Sequence, residues 1–311
     1  MASHESSKST WPKGARAAVA LTLDNMGEAA DLNRDLWPKS QPVGAHHSVT
    51  KVLPQMLGLL AKYDISVTYF IESWNLQIYG DFIIDHIASA GHEIGWHAWQ
   101  HEAWNRLEDE SEERENFEKS FGKDGIGGFI RAGAKGAGRV ERYRGFRPPG
   151  GLIHGSRTLN LCTEYGLRYL SPAANEAAII PSETGKHSMV ILPFKWATVD
   201  AYYYMDAFAE LRRVKAEYPA EPQSPTVLVE RFKKEVDLAI ERRGYVSLLF
   251  HPFLTDQPER LDAMESVLKY LVEMRDKGTI WLARNREIDE WVREHPSLLS
   301  DDPQWDHDQW R

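Results

Sequence analysis

Short apolar runs rich in β-branched and aromatic residues recur along the chain. Between them lie longer stretches in which apolar positions return every three or four residues. The short runs predict strands at Ala17–Asp24, 66–71, 93–97, 143–148, 168–170, 189–193, Tyr245–Phe250 and 279–282. The longer stretches predict helices at 52–63, 81–90, 104–120, 157–165, 227–243, 258–277 and 286–294. Buried strands alternating with helices imply a parallel sheet. About eight strands in that order suggest an α/β fold of the irregular (β/α) barrel kind, with a doubly wound open sheet as the competitor. Gly91, Gly244 and Gly278 each follow a helical stretch, where a left-handed cap is wanted. The glycine-rich segment 122–138 follows a helix and lacks phosphate-loop spacing, so it reads as a connector.

The pattern gives a single domain over residues 15–294, with a polar extension at 1–14 and a tail at 295–311. The tail is broken by proline and is either disordered or docked through Trp305 and Trp310. It is compatible with a homo-oligomer. At 42% hydrophobic and 27% charged residues, the 311-residue chain has ordinary globular composition, which excludes disordered, collagen-like and coiled-coil classes. A net charge of -9 and the absence of a basic stripe argue against a nucleic-acid partner. No apolar run approaches the length of a membrane helix, and residues 1–12 lack the apolar core of a signal peptide. The expectation is a cytoplasmic protein without a membrane partner. With Cys162 alone, neither an internal disulfide nor a cysteine zinc site can form.

In barrels and open α/β sheets, reactive groups gather at the C-terminal ends of strands. Asp24 ends the first predicted strand, His97 the third, Arg147 the fourth and His251 the seventh. Asp200 follows the strand at 189–193. His97 and His101 are four residues apart, a spacing that puts both on one side of a helical turn and is one common way to hold a divalent cation. Taken singly, each residue has a structural alternative. Asp24 could cap a helix, Arg147 could be an ion-pair partner, and His251 a satisfied core histidine. Together they describe one site. Trp74, Trp96, Trp99, Trp104 and Trp196 fall near these positions, either lining a pocket or packing the core.

At this point the chain resembles the polysaccharide deacetylases with the NodB homology domain, over roughly residues 19–291. Thr22-Leu23-Asp24-Asn25 is similar to the family's TFDDG motif, and His97 and His101 match its HxxxH. Residues 147–151 (Arg-Pro-Pro-Gly-Gly) match RxPxG, and Leu248 to His251 the terminal LxxH-type motif. The resemblance implies a distorted (β/α) barrel that hydrolyses an N-acetyl or other amide bond at a divalent metal, usually Zn2+. It assigns the metal to His97 and His101, makes Asp24 the general base, His251 the acid for the leaving amine, and Arg147 the group that orients Asp24 or the acyl group. Asp200 corresponds loosely to the carboxylate that tunes the catalytic histidine.

One position departs from the pattern. The family's second aspartate, a metal ligand, is Asn25 here, and a neutral amide oxygen is a poor substitute for a carboxylate on zinc. Three rearrangements follow: Asp24 becomes the ligand and Glu28 or another group the base; Asn25 coordinates weakly; or the metal is lost. The first motif also varies in the intracellular branch resembling allantoinase-like and cyclic-imide-hydrolase members. The sequence therefore points to a hydrolase of a non-peptide C–N bond, acting on a small-molecule or carbohydrate substrate such as an N-acetyl amide, cyclic imide or ureide. The alternative is an impaired homologue that binds such a ligand without turnover.

Overall fold

The structure, a computed structural model, describes residues 10–131, 136, 139–181 and 188–306. The first strand, β1 (Ala17–Asp24), is buried at all eight positions, as its nearly unbroken apolar sequence requires of a strand covered on both faces. It lies between β8 (Tyr245–Phe250) on one edge and, on the other, β2 (Thr68–Ile71) along its upper part and β9 (Ile280–Leu282) along its lower part. From β2 the sheet continues through β3 (Glu93–Trp96), β4 (Gly145–Phe146), β5 (Tyr169–Leu170) and β7 (Met189–Ile191) to β6 (Ala178–Ile180). All pairs are parallel except β6–β7.

The register sets the site. Leu23 lies opposite Phe250, Asp24 opposite Phe70, Ile71 opposite Trp96, and Trp96 opposite Phe146. The residues that end or follow these strands therefore emerge along one rim. The sheet curls without closing by a full strand pair. Its open side is spanned by the chain after β7, through single bridges from Ala173 to Phe194 and from Val199 to Leu249. The molecule is thus an α/β half-barrel in one domain, an open form of the expected (β/α) barrel.

Several elements differ from the pattern reading. β6 comes from Ala178, Ile179 and Ile180, too short and alanine-containing to stand out as a strand. The helix expected at 104–120 splits, because Asp109 caps a new helix, Glu110–Phe121, by accepting from the Ser111 and Glu112 N–H groups. The helix expected at 81–90 begins earlier, at Asn75, and its last part, Ile83–Ala88, is a π-helix. In the extension, Trp11 is buried and its indole N–H donates to the Arg243 carbonyl at 3.1 Å. In the tail, Ser300 bridges to Ala178 and Trp305 to Ala174. The Ile179 N–H donates to the Ser300 carbonyl at 2.8 Å, and the Asn175 and Glu176 N–H groups donate to Gln304 and Pro303 at 3.0 Å. Residues 1–9 and Trp310 lie outside the described residues. Among the described residues, no helix is long and apolar enough to cross a membrane.

Candidate active site

Arg147 is fully buried at the end of β4. The turn after it needs Gly151, whose φ of +81° and closeness to Ala173 and Phe194 leave no room for a Cβ. Each guanidinium nitrogen of Arg147 has a partner. Nε reaches Ser171 Oγ at 3.2 Å, Nη1 reaches Thr22 Oγ1 at 2.9 Å and Asp24 Oδ1 at 2.8 Å, and Nη2 reaches Ser171 Oγ at 2.8 Å and Ser247 Oγ at 3.3 Å. The group stacks over the Phe70 ring, 4.3 Å from its centroid. Burial raises the Asp24 carboxyl above its usual range, against the pull of Arg147 and His251.

His251 follows β8 beside Asp24. Its backbone N–H donates to Asp200 Oδ2 at 2.7 Å, and its Nδ1 lies 2.5 Å from Asp200 Oδ1. A carboxylate that accepts at Nδ1 leaves Nε2 as the nitrogen facing other groups. Burial alone would lower the His251 pKa, but the Asp200 charge and hydrogen bond, helped by Asp24, raise it above its ordinary value. Asp200 itself is fully buried at the start of the helix Asp200–Tyr204.

His97 emerges from β3 with Nδ1 2.7 Å from the Arg147 carbonyl oxygen. A carbonyl only accepts, so Nδ1 carries the proton and Nε2 the lone pair. That Nε2 is 4.0 Å from Asp24 Oδ2. Burial pushes the His97 pKa down to about 3, so the ring is neutral. His101 does not share a helical turn with His97. Ala98 and His101 both have positive φ, +66° and +69°, and the segment is a tight turn that still brings the two rings edge to face at 4.9 Å. Arg34 Nη2 lies 3.0 Å from His101 Nδ1. Asn25, at φ +61°, donates its amide N–H to Glu72 Oε1 at 2.8 Å. Glu72 also accepts from the Met26 N–H at 3.0 Å and Asn75 Nδ2 at 2.9 Å, while burial pushes its carboxyl up to about 8.

The family model for polysaccharide deacetylases matches residues 13–170, about half of the chain. The chain belongs to the polysaccharide deacetylase family. Most members are hydrolases of C–N bonds, though members without activity exist, and the family is generally metal-dependent. This deacetylase-family chain superposes on a candidate polysaccharide deacetylase from Mycobacterium smegmatis with a TM-score of 0.72 at 25% identity, covering 93% of this chain and 94% of that one. A PuuE allantoinase gives 0.69 at 22% identity, covering 92% and 93%. A probable polysaccharide deacetylase from Pseudomonas aeruginosa PAO1 gives 0.66 at 20%, covering 92% and 94%. These last two likenesses are of fold. No curated protein matches the sequence.

The deacetylase-family site brings Asp24, His97, Arg147, Asp200 and His251 onto one rim, with His101 beside His97. The side chains at hand do not fit the expected Zn2+ centre of Asp24, His97 and His101. Zinc takes a nitrogen lone pair, and a catalytic site typically has three protein ligands. His97 Nε2 offers a lone pair, but the His101 lone pair is at Nδ1, occupied by a guanidinium that can only donate. Asn25 turns an N–H donor to Glu72, and Asp24 is held by Arg147. Among the described residues, no three His, Cys, Asp or Glu side chains converge as a metal-holding set. Glu28 is not free to replace Asp24 as base either. It is fully buried and accepts from the Gly44 N–H at 2.8 Å and the Tyr79 hydroxyl at 2.6 Å, which ties down the loop before His46. Asp24 caps no helix: the helix Ala29–Asn33 starts after Glu28 without a side-chain cap.

Of the five nearby tryptophans, Trp96, Trp104 and Trp196 are core residues, and Trp74 and Trp99 are half-buried. The strand-end rule would also have found Glu72, directly after β2, and Ser171, directly after β5, had it been applied to those strands. Arg34 has no such signal. It sits ten residues past Asp24 in an irregular stretch, and only the fold carries it to His101.

Proposed function

We propose that the protein hydrolyses a non-peptide C–N bond in a small amide, cyclic imide or ureide, without a bound metal. One observation carries the reading: a carboxylate locked by Arg147 and a histidine raised by Asp200 stand on adjacent strand ends, Asp24 beside His251. Environments that hold two titratable groups in complementary states are how acid and base roles are divided. Arg147 fixes Asp24 Oδ1 and leaves Oδ2 to take a proton from water attacking the carbonyl carbon. Asp200 holds His251 Nδ1–H and keeps Nε2 ready to protonate the departing nitrogen. Asp24, His97, Arg147, Asp200 and His251 are each less than a tenth exposed, which suits a small substrate enclosed by the rim better than a polymer chain. A family neighbour of the same fold, the PuuE allantoinase, is compatible with that class.

The test is a hydrolysis screen over N-acetyl sugars, cyclic imides and ureides, run in EDTA, with His251→Asn alongside. Turnover that survives chelation and is lost in the variant supports the reading. No turnover of any compound, or turnover untouched by His251→Asn, rejects it. Asn25 and Arg34 favour one other reading, a homologue that binds such a ligand without splitting it. Calorimetric binding of the same compounds without product release would establish that instead.

A further inference from the structure

We infer that Arg34 converts His101 from a metal ligand into a hydrogen-bond donor, and that His101 Nε2–H, backed by the Arg34 guanidinium, stabilises the substrate's carbonyl oxygen where a divalent cation would otherwise act. The inference rests on the hydrolase reading and names its electrophilic element. A guanidinium carries five N–H donors and no acceptor, so its contact with His101 Nδ1 requires a lone pair there. In a neutral imidazole the single proton is then on Nε2. His97, an edge-to-face neighbour at 4.9 Å, has the opposite tautomer, fixed by the Arg147 carbonyl. The two histidines of the motif thus present different faces: one Nε2 accepts and the other donates.

The surroundings sustain this arrangement. The His101 carbonyl accepts from Asn33 Nδ2 at 3.3 Å, which ties the turn to the same short segment that carries Arg34. Among the described residues, no carboxylate forms an ion pair with Arg34, and its guanidinium meets the His101 ring instead. Asn25, a neutral amide, turns its N–H to Glu72 and so places no carboxylate of its own in this corner. The result is a donor-bearing corner, Arg34 behind His101, beside a carboxylate base. Such a corner stabilises a developing oxyanion.

In the hydrolytic step, the water oxygen bonds to the carbonyl carbon as its proton passes to Asp24. The carbonyl π pair moves onto oxygen, which His101 Nε2–H holds. When the adduct collapses the C–N bond breaks, and the nitrogen leaves with a proton from His251. Arg34 is a positioning residue here: it acts through the tautomer and charge of His101.

The test reads the tautomer directly. Protein labelled with 15N at the histidine rings is examined by long-range 1H–15N correlation, His101 being assigned from the signals lost in His101→Gln. The expected result is a protonated Nε2 and bare Nδ1 at His101, the reverse at His97, and no movement of either on adding equimolar zinc chloride. Arg34→Met should free Nδ1, shift the His101 pattern and lower kcat roughly 10²-fold with a smaller change in KM, whereas Arg34→Lys keeps the donor and most of the rate. A bare His101 Nε2 in the wild type, or zinc moving the His97 and His101 signals together, would overturn the inference. The spectra need no substrate, so a failed hydrolysis screen would reject the hydrolase reading, and the oxyanion role with it, while the spectra alone decide whether Arg34 sets the His101 tautomer.

Discussion

On the β1–β8 side of the rim, charge is held in fixed pairs. Arg147 satisfies its guanidinium with one carboxylate and three hydroxyls, and His251 donates two hydrogen bonds to one buried carboxylate, Asp200. On the β2–β3 side lie the neutral rings of His97 and His101, with the amide of Asn25, which follows β1, turned to Glu72 after β2, and among the described residues the cation that meets these rings is the exposed Arg34. A buried ion pair is costly to form and more costly to halve. The first side therefore resists change at any single residue. On the second side, the chemistry we propose depends on hydrogen-bond polarity, which one substitution can reverse at small cost to the fold.

Removing Arg147 should show the contrast at its largest. Arg147→Met leaves Asp24 buried and unpaired, and stability measured by urea denaturation should fall by about 3–5 kcal/mol. A loss no greater than that of Arg34→Met would erase the difference between the two sides. Next comes His251→Asn, expected to lower kcat by roughly 10²–10⁴-fold while the urea midpoint moves little. The pH profile sharpens it. Burial lowers the His251 pKa, but Asp200 outweighs burial and holds it above 6.5, so acid catalysis should persist past neutrality and fade as pH rises through the raised value. Asp200→Asn should shift that basic limb to lower pH. The linked stability has the same sign: it is full below the ordinary histidine pKa and lost as pH rises through the folded one. A basic limb that does not move would detach Asp200 from His251.

A smaller effect is expected at Asn25. Asn25→Asp trades a donor to Glu72 for a second carboxyl and should cost about 1–3 kcal/mol near pH 8. The cost should shrink in acid, where the two carboxyls share protons, and adding Glu72→Gln should relieve it. Equal cost at pH 5 and pH 8 would show that charge repulsion is not the cause.

The side proposed for acid–base work was legible in the sequence because strand periodicity located the ends of β1, β4 and β8, and the fold's geometry gathers strand ends. Asp24, Arg147 and His251 followed from that rule, and Asp200 from its position after β7. The other side was only half legible. The spacing of His97 and His101 suggested a helical turn, but the backbone enters the left-handed region at Ala98 and again at His101, a choice that periodicity does not encode. Arg34 and Glu72 reach the site by tertiary contact. β6 was hidden for another reason: its pairing with β7 and with the tail, more than its own propensity, makes it a strand.

The tail's pairing with β6 bears on how the molecule behaves in company. A sheet that does not close leaves edges, and an uncovered edge invites other chains to add strands. Here residues 300–305 run along 174–179 and take up the Asn175, Glu176 and Ile179 N–H groups. A chain cut before Ser300 would keep every residue of the rim and lose this cover. It should retain its chemistry at high dilution and self-associate as its concentration rises.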